Sequence, residues 1–277
     1  MILNFGVLID PLFRLPFLTG LLFASVLPVL GMYLRLRQEW LAALAFAQVA
    51  AAGSLASSIL GLPAQAGALA CAGGAAAAKS WIARSGNNGY AVLMIVGWAC
   101  AILMLANVPI AEQLGHALFD GQLYFTGVGH LIIALLFLGV TAALLPWLSR
   151  PLLLERVFPD FFQASGRSAL RYHLLFDLLI AAGLALATAS IGVWAAFGLV
   201  FVPSMVAYRI GQSWKASVWI GAGFSLGAYL VAFAAALLFD QPFGPVLVIT
   251  LATIAAIIWL VLAVLRRRKA SSITAES

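Results

Sequence analysis

Apolar runs close to 20 residues long recur nine times along this chain, at 15–34, 40–61, 64–83, 89–109, 128–149, 171–189, 191–209, 216–238 and 245–265. A helix crosses the ~30 Å hydrocarbon core of a bilayer in about 20 residues. Lipid offers no partner to a stray backbone N–H or C=O, so spanning elements are helices or closed barrels. Continuous runs, rather than ten-residue segments of alternating polarity, select helices. Composition agrees: 64% of the 277 residues are hydrophobic and 9% are charged, whereas a soluble domain carries roughly a quarter charged. The expected fold is an all-α polytopic transmembrane bundle of about nine spans, with eight and ten as the neighbouring counts. The third run, rich in Ala and Gly, is indistinct, as is the break between the sixth and seventh at Ser190 and Ile191.

The net charge of +6 reads as topology rather than nucleic-acid binding, because of where the basic residues fall. Arg35 and Arg37 follow the first run, Lys79 and Arg84 close the third, and Arg150, Arg156, Arg167 and Arg171 follow the fifth. Arg209 and Lys215 follow the seventh, and Arg266, Arg267, Arg268 and Lys269 follow the ninth. With nine spans, 14 of the 15 Lys and Arg share one side and only Arg14 dissents. Cytoplasmic loops carry the Lys/Arg excess, so the N-terminus is expected outside and the C-terminus inside. The chain then reads as one transmembrane domain, 1–277, with a cytoplasmic loop at 150–171 and a basic tail at 266–277 resting on anionic lipid. Met1 to Asp10 lacks a basic flank and is not read as a signal peptide. Cys71 and Cys100 lie inside apolar runs and match no metal or redox spacing.

A few polar residues inside or beside the spans are candidates for chemistry. Asp177 lies six residues past Arg171, roughly 9 Å along a helix. A carboxylate inside a bilayer costs about 2.5–3.5 kcal/mol on insertion scales and marks a pathway or an internal ion pair. His173, at i−4, shares its face. His130 near the outer end of the fifth run could be a ligand or proton acceptor, or a helix-start histidine reaching interfacial water. Glu112, His116 and Asp120 recur at i, i+4 and i+8, so a helix there would align them as an outer collecting site for a cation or as a solvated face. Gln48 and Asn107 could hydrogen-bond between helices, and Gly223 and Gly227 form a GxxxG pair that lets helices approach. Gly73 to Ser80 reads GGAAAAKS, but a phosphate-binding loop needs glycine before the lysine and a preceding strand. No HExxH or GxSxG motif is present, so no catalytic residue is assigned.

Four stretches resemble the permeases of ATP-binding-cassette importers for zinc, manganese and iron. They are Gly20 to Gly31 with the LRLR run ending at Arg37, and RPLLLERVFPDFFQASGR from Arg150 to Arg167. IGVWAAFGLVFVPSMVA follows from Ile191 to Ala207, with Gly192, Pro203 and Ala207 on the family's glycine, proline and alanine. The last is LLFDQPFG from Leu237 to Gly244, where Asp240, Pro242 and Gly244 match an outward loop. The resemblance implies a homodimeric channel in a bacterial inner membrane, ATPase subunits below and a periplasmic or extracellular solute-binding protein above. ATP then binds the partner subunit, and this chain carries no cofactor. The resemblance also implies that Phe158, Pro159, Asp160, Phe161 and Gly166 couple to the ATPase.

One stretch departs from the family. Where its members typically read GDALSHAxLPG, this chain has Ala-Leu-Ala-Phe-Ala-Gln-Val-Ala-Ala-Ala-Gly from Ala43 to Gly53. Leu44 stands at the aspartate, Ala47 at the serine and Gln48 at the histidine. A divalent ion prefers anionic or imidazole ligands, so the cargo is a metal that bypasses this site, a chelate, or a non-metal solute. A proton-coupled secondary transporter using Asp177 or His130 is the reading from another class.

Overall fold

The computed structural model describes residues 10–82, 87–121, 123, 126–158, 160–166 and 168–275. Among them there are helices and no strand. After a short 3-10 turn at Pro11–Phe13, the helices are α1 (Arg14–Leu36), α2 (Leu41–Ile59), α3 (Ala64–Ile82), α4 (Asn87–Asn107), α5 (Pro109–Asp120) and α6 (Val128–Val157). They continue with α7 (Phe161–Ala164), α8 (Ala169–Ile191), α9 (Val193–Ile210), α10 (Trp214–Leu238) and α11 (Phe243–Ala275). Eight of these are long and apolar enough to cross a membrane. The nine expected spans correspond to those eight and to α3.

Helix α3 equals α2 in length, 19 residues, but falls short in hydropathy because Gln65, Lys79 and three glycines interrupt its alanines. Its composition follows from its packing against α2 and α8. A Cβ added at Gly67 would strike the Gly53 carbonyl and the Ser57 hydroxyl; one at Gly53 would strike the Gly67 carbonyl and come 2.7 Å from Cys71 Cβ. Small residues let backbones touch where lipid supplies no hydrophobic drive between helices.

Helix α8 is the most enclosed, with 72% of its apolar window buried against 17% for α4 and α11. It packs on α3, α2, α9, α6 and α1, while α1 packs on α9, α10 and α6. The bundle thus has a centre of α1, α2, α8 and α9, and a rim whose apolar residues, such as Leu103, Leu136 and Leu260, are exposed. Gly223 and Gly227 on α10 have open space beside them. Among the described residues the GxxxG pair brings no helix close.

Two boundaries differ from the expectation. The sixth and seventh runs part at Gly192 rather than at Ser190 and Ile191. Gly192 has φ +91 and ψ 162, a conformation that only glycine adopts without strain. Beside it, an added Cβ would meet Gly121 Cα at 2.6 Å, and one on Gly121 (φ +75) would lie 3.2 Å from Gly244 Cα. Three segments thus converge on glycine backbone. The second difference is α6, which continues past Ser149 for eight residues, so most of 150–171 is helix rather than loop. Pro151 removes only one donor from the helix, and the Leu-Leu-Leu-Glu-Arg run that follows has high helix propensity. Phe158 ends it in an extended conformation, as the residue before Pro159 prefers.

Candidate functional site

The charged residues assemble where α1, α3, α4 and α8 share one end, the basic end of the bundle. The chain leaves α1 through Arg37 and reverses through Gln38, held at φ +60. The Gln38 carbonyl accepts a bond from Asn87 Nδ2 at 3.0 Å. Arg37 donates to Asp177 Oδ1 at 2.8 Å and reaches Glu39 Oε2 at 2.9 Å. Lys79 Nζ donates to Asp177 Oδ2 and to Glu39 Oε2, each at 2.8 Å. Two cations and two carboxylates therefore alternate around a closed ring.

Surrounding aromatics wall the ring off. Arg37 lies over Phe176 and Lys79 over Tyr90, at 5.4 and 5.0 Å from the ring centroids; such contacts strengthen when desolvated. The Asp177 side chain is 4% exposed and that of Arg37 is 10%. Burial alone pulls the Arg37 guanidinium down, but Asp177 and Glu39 more than offset that and hold it above its ordinary value. The ring is neutral as a whole, which is the condition for keeping charge in a low-dielectric interior.

His173 does not join Asp177. Its Nε2 pairs with Glu155 Oε2 at 2.7 Å, tying α8 to the end of α6. The short helix α7 is held against the same place. Phe162 is buried with its ring 5.5 Å from Tyr172 and 6.0 Å from His173, and Phe161 packs edge-on against it at 5.2 Å. Asp160 occupies the N-cap of α7 without a side-chain capping bond, and Gly166 turns the chain at φ +64. Leu154, Val157 and Phe158 stand exposed, Val157 at 68% and Phe158 at 60%. A cavity of about 820 Å³ lined by Trp147, Gly166, Arg171 and Tyr172 flanks this segment. Pro159 and Arg167 lie outside the described residues, as does Arg84.

The remaining candidates lie apart. Gln48 is buried on α2 with its Oε1 lacking a partner, next to Leu44 and Ala47, where α4 closes in at Gly97. His130 accepts from the Gly127 N–H at 3.3 Å and sits 2.7 Å from the Gln65 amide, joining the start of α6 to the start of α3. Gln65 and Lys79 are 14 residues apart on α3, roughly 21 Å, so His130 belongs to the opposite end of the bundle. Glu112 is exposed on α5; the side chains of His116 and Asp120 lie outside the described residues, as do those of Arg266 to Lys269. Asn107 donates to the Leu103 carbonyl within α4. Among the described residues no group of three His, Cys, Asp or Glu could hold a metal ion.

Arg37 and Lys79 stand among the topological charges of the sequence, and Glu39 beside them carries no motif of its own. The signal was present: an intramembrane carboxylate demands a partner, and these residues end or follow runs on the side where α8 begins.

Comparison with known proteins places this architecture. The chain matches the family model of the ABC 3 transport family over residues 10–263. No curated protein sequence matches. Among solved structures it is similar to PsaBC from Streptococcus pneumoniae in complex with Fab, with 20% identity and a TM-score of 0.79, covering 91% of this chain and 92% of that one. It is also similar to a metal-chelate type ABC transporter in an inward-facing conformation, with 16% identity and a TM-score of 0.67, covering 90% and 84%. The chain belongs to the ABC 3 transport family: it is a multi-pass membrane permease of an ATP-binding-cassette importer, a transport subunit whose ATPase activity lies in a partner.

Proposed function

We propose that two copies of this chain form the translocation path of an importer for a divalent transition metal in a bacterial inner membrane. An ATPase docks at the basic end and a solute-binding protein delivers cargo at the other. The observation that carries the reading is the tip of α6 with α7. Leu154, Val157 and Phe158 present apolar surface at the basic end, beside a short helix pinned by Phe162 to the start of α8. Exposed apolar surface rimmed by charge suits a protein partner, and Asp160, Phe161 and Gly166 shape it. The N-terminus is then outside and the C-terminus inside, as the basic residues require.

A chelated metal is the second reading of the cargo, favoured by α2. Leu44 and Gln48 offer a bare divalent ion neither charge nor imidazole nitrogen, whereas a complex that keeps its own ligands needs neither. A proton relay through Asp177 has no comparable support, since both its oxygens are engaged by cations at 2.8 Å.

The test is ATP-dependent uptake of manganese(II), zinc(II) and iron(II), each alone, into proteoliposomes holding permease, ATPase and binding protein. Saturable uptake of one ion that Phe158→Asp abolishes supports the reading. Uptake only when a chelator accompanies the ion shifts the cargo to a complex. ATP hydrolysis with no movement of either refutes a metal cargo.

A further inference from the structure

The charge ring lies on a continuous path from the exposed tip to helix α2. Glu155 on α6 holds His173 on α8, and Phe162 of α7 rests on Tyr172 and His173. Asp177 follows His173 by four residues, one helical turn or about 6 Å. From Asp177 the ring grips Arg37 at the end of α1 and Lys79 at the end of α3. Both of these hold Glu39, in the turn that leads into α2. The helix that bears Leu44 and Gln48, which also packs directly on α8, is therefore tied at its entrance by charges to the helix that follows the coupling segment.

We infer that Asp177 is a positioning residue for transport: with Arg37, Lys79 and Glu39 it transmits displacement of α7 and α8 to α2. The ring suits this task physically. Ion pairs at 2.8 Å between 4–19% exposed side chains resist separation, because parting them strands charge in a low dielectric. Each carboxylate is held by two cations, so α8 cannot move without dragging α1, α3 and the α2 entrance, or breaking two bonds together. A purely apolar contact would let the helices slide instead.

The inference rests on the ATP-driven reading above, and one experiment separates the two. The permease is assembled with its ATPase in nanodiscs, Cys71 and Cys100 replaced by serine, and spin labels placed at exposed Leu60 beyond α2 and Phe239 beyond α10. The distance distribution is compared without nucleotide and after vanadate trapping with ATP. The wild-type chain is expected to shift, and its failure to do so overturns the ATP-driven reading itself. Asp177→Asn is expected to keep at least half the ATPase rate while losing most of the shift, and Asp177→Glu to restore it.

Because Asp177→Asn leaves two buried cations short of a partner, a second variant guards against misfolding. Arg37→Met, Glu39→Gln, Lys79→Met and Asp177→Asn together remove the ring without stranding charge. That protein is expected to assemble and hydrolyse ATP with the α2 shift uncoupled. A wild-type shift in either variant overturns the inference, as does loss of assembly in the four-fold variant.

Discussion

Gly31 offers a measurement in which the same chemical change has opposite signs at two sites. It lies on α1 where α9 crosses, and a Cβ built on it would overlap the Val200 carbonyl oxygen, with the carbonyl carbon at 2.9 Å and Val200 Cγ1 at 3.1 Å. Carbon atoms pack at ≈ 3.5–4.0 Å, and a backbone carbonyl cannot rotate aside, so α1 and α9 must part. Overpacking of this kind costs about 1–3 kcal/mol. The lost backbone freedom of alanine in the unfolded chain returns about 0.5–1 kcal/mol. Gly31→Ala is thus expected to destabilise by about 1 kcal/mol. Gly139 on α6 is exposed with nothing within 4 Å, so Gly139→Ala keeps only the gain. The two proteins should differ by about 2 kcal/mol, near thirtyfold in folding equilibrium. Reversible unfolding by SDS in mixed micelles, followed by tryptophan fluorescence, reads this directly. Equal midpoints for the two variants would refute the close-packing account of α1 and α9.

Three further outcomes follow from the same structure. Gly192→Ala places a side chain at φ +91 and 2.6 Å from Gly121 Cα, so about 3 kcal/mol should be lost; Ser190→Ala nearby serves as the comparison in the same SDS titration. Phe158→Asp should leave the SDS midpoint within about 0.5 kcal/mol, as surface changes do, while recovery of the ATPase in affinity purification falls at least tenfold. Tyr229→Phe removes the hydroxyl that donates to the Phe17 carbonyl at 2.9 Å and should cost about 1 kcal/mol, with ATP-driven uptake retained.

Helix positions were legible because lipid makes length and hydropathy decisive, and eight of the nine expected spans meet both measures. Hydropathy cannot rank a helix held by close backbone contact, so α3 looks weak in sequence and proves well packed through Gly53 and Gly67. The fifth run stops at Ser149 for a related reason: Arg150 and Pro151 end the apolar run, not the helix. Asp177 stood out by its cost, but its partners Arg37 and Lys79 came from the ends of α1 and α3, far apart in sequence. Periodicity along one helix pointed to His173, which shares the face yet answers to Glu155. Nothing local to residue 177 names Arg37 or Lys79; only matching depths across three helices does.

Helix α3 also bears on how the chain is made. A segment of alanine and glycine carries little free energy for leaving water on its own, so its entry into the bilayer depends on α2 being there to receive it. The four-residue connection at 60–63 makes the two helices a hairpin, which is expected to enter as one event. Should Gly53 or Gly67 acquire a side chain, the fault would reach beyond the contact itself. A hairpin that failed to close would leave α3 outside the membrane and invert the sidedness of every later loop. Arg150, Arg156 and Arg171 would then be drawn to the wrong compartment, against the charge bias that orients them. On this account the smallest residues in the bundle would guard its topology during synthesis.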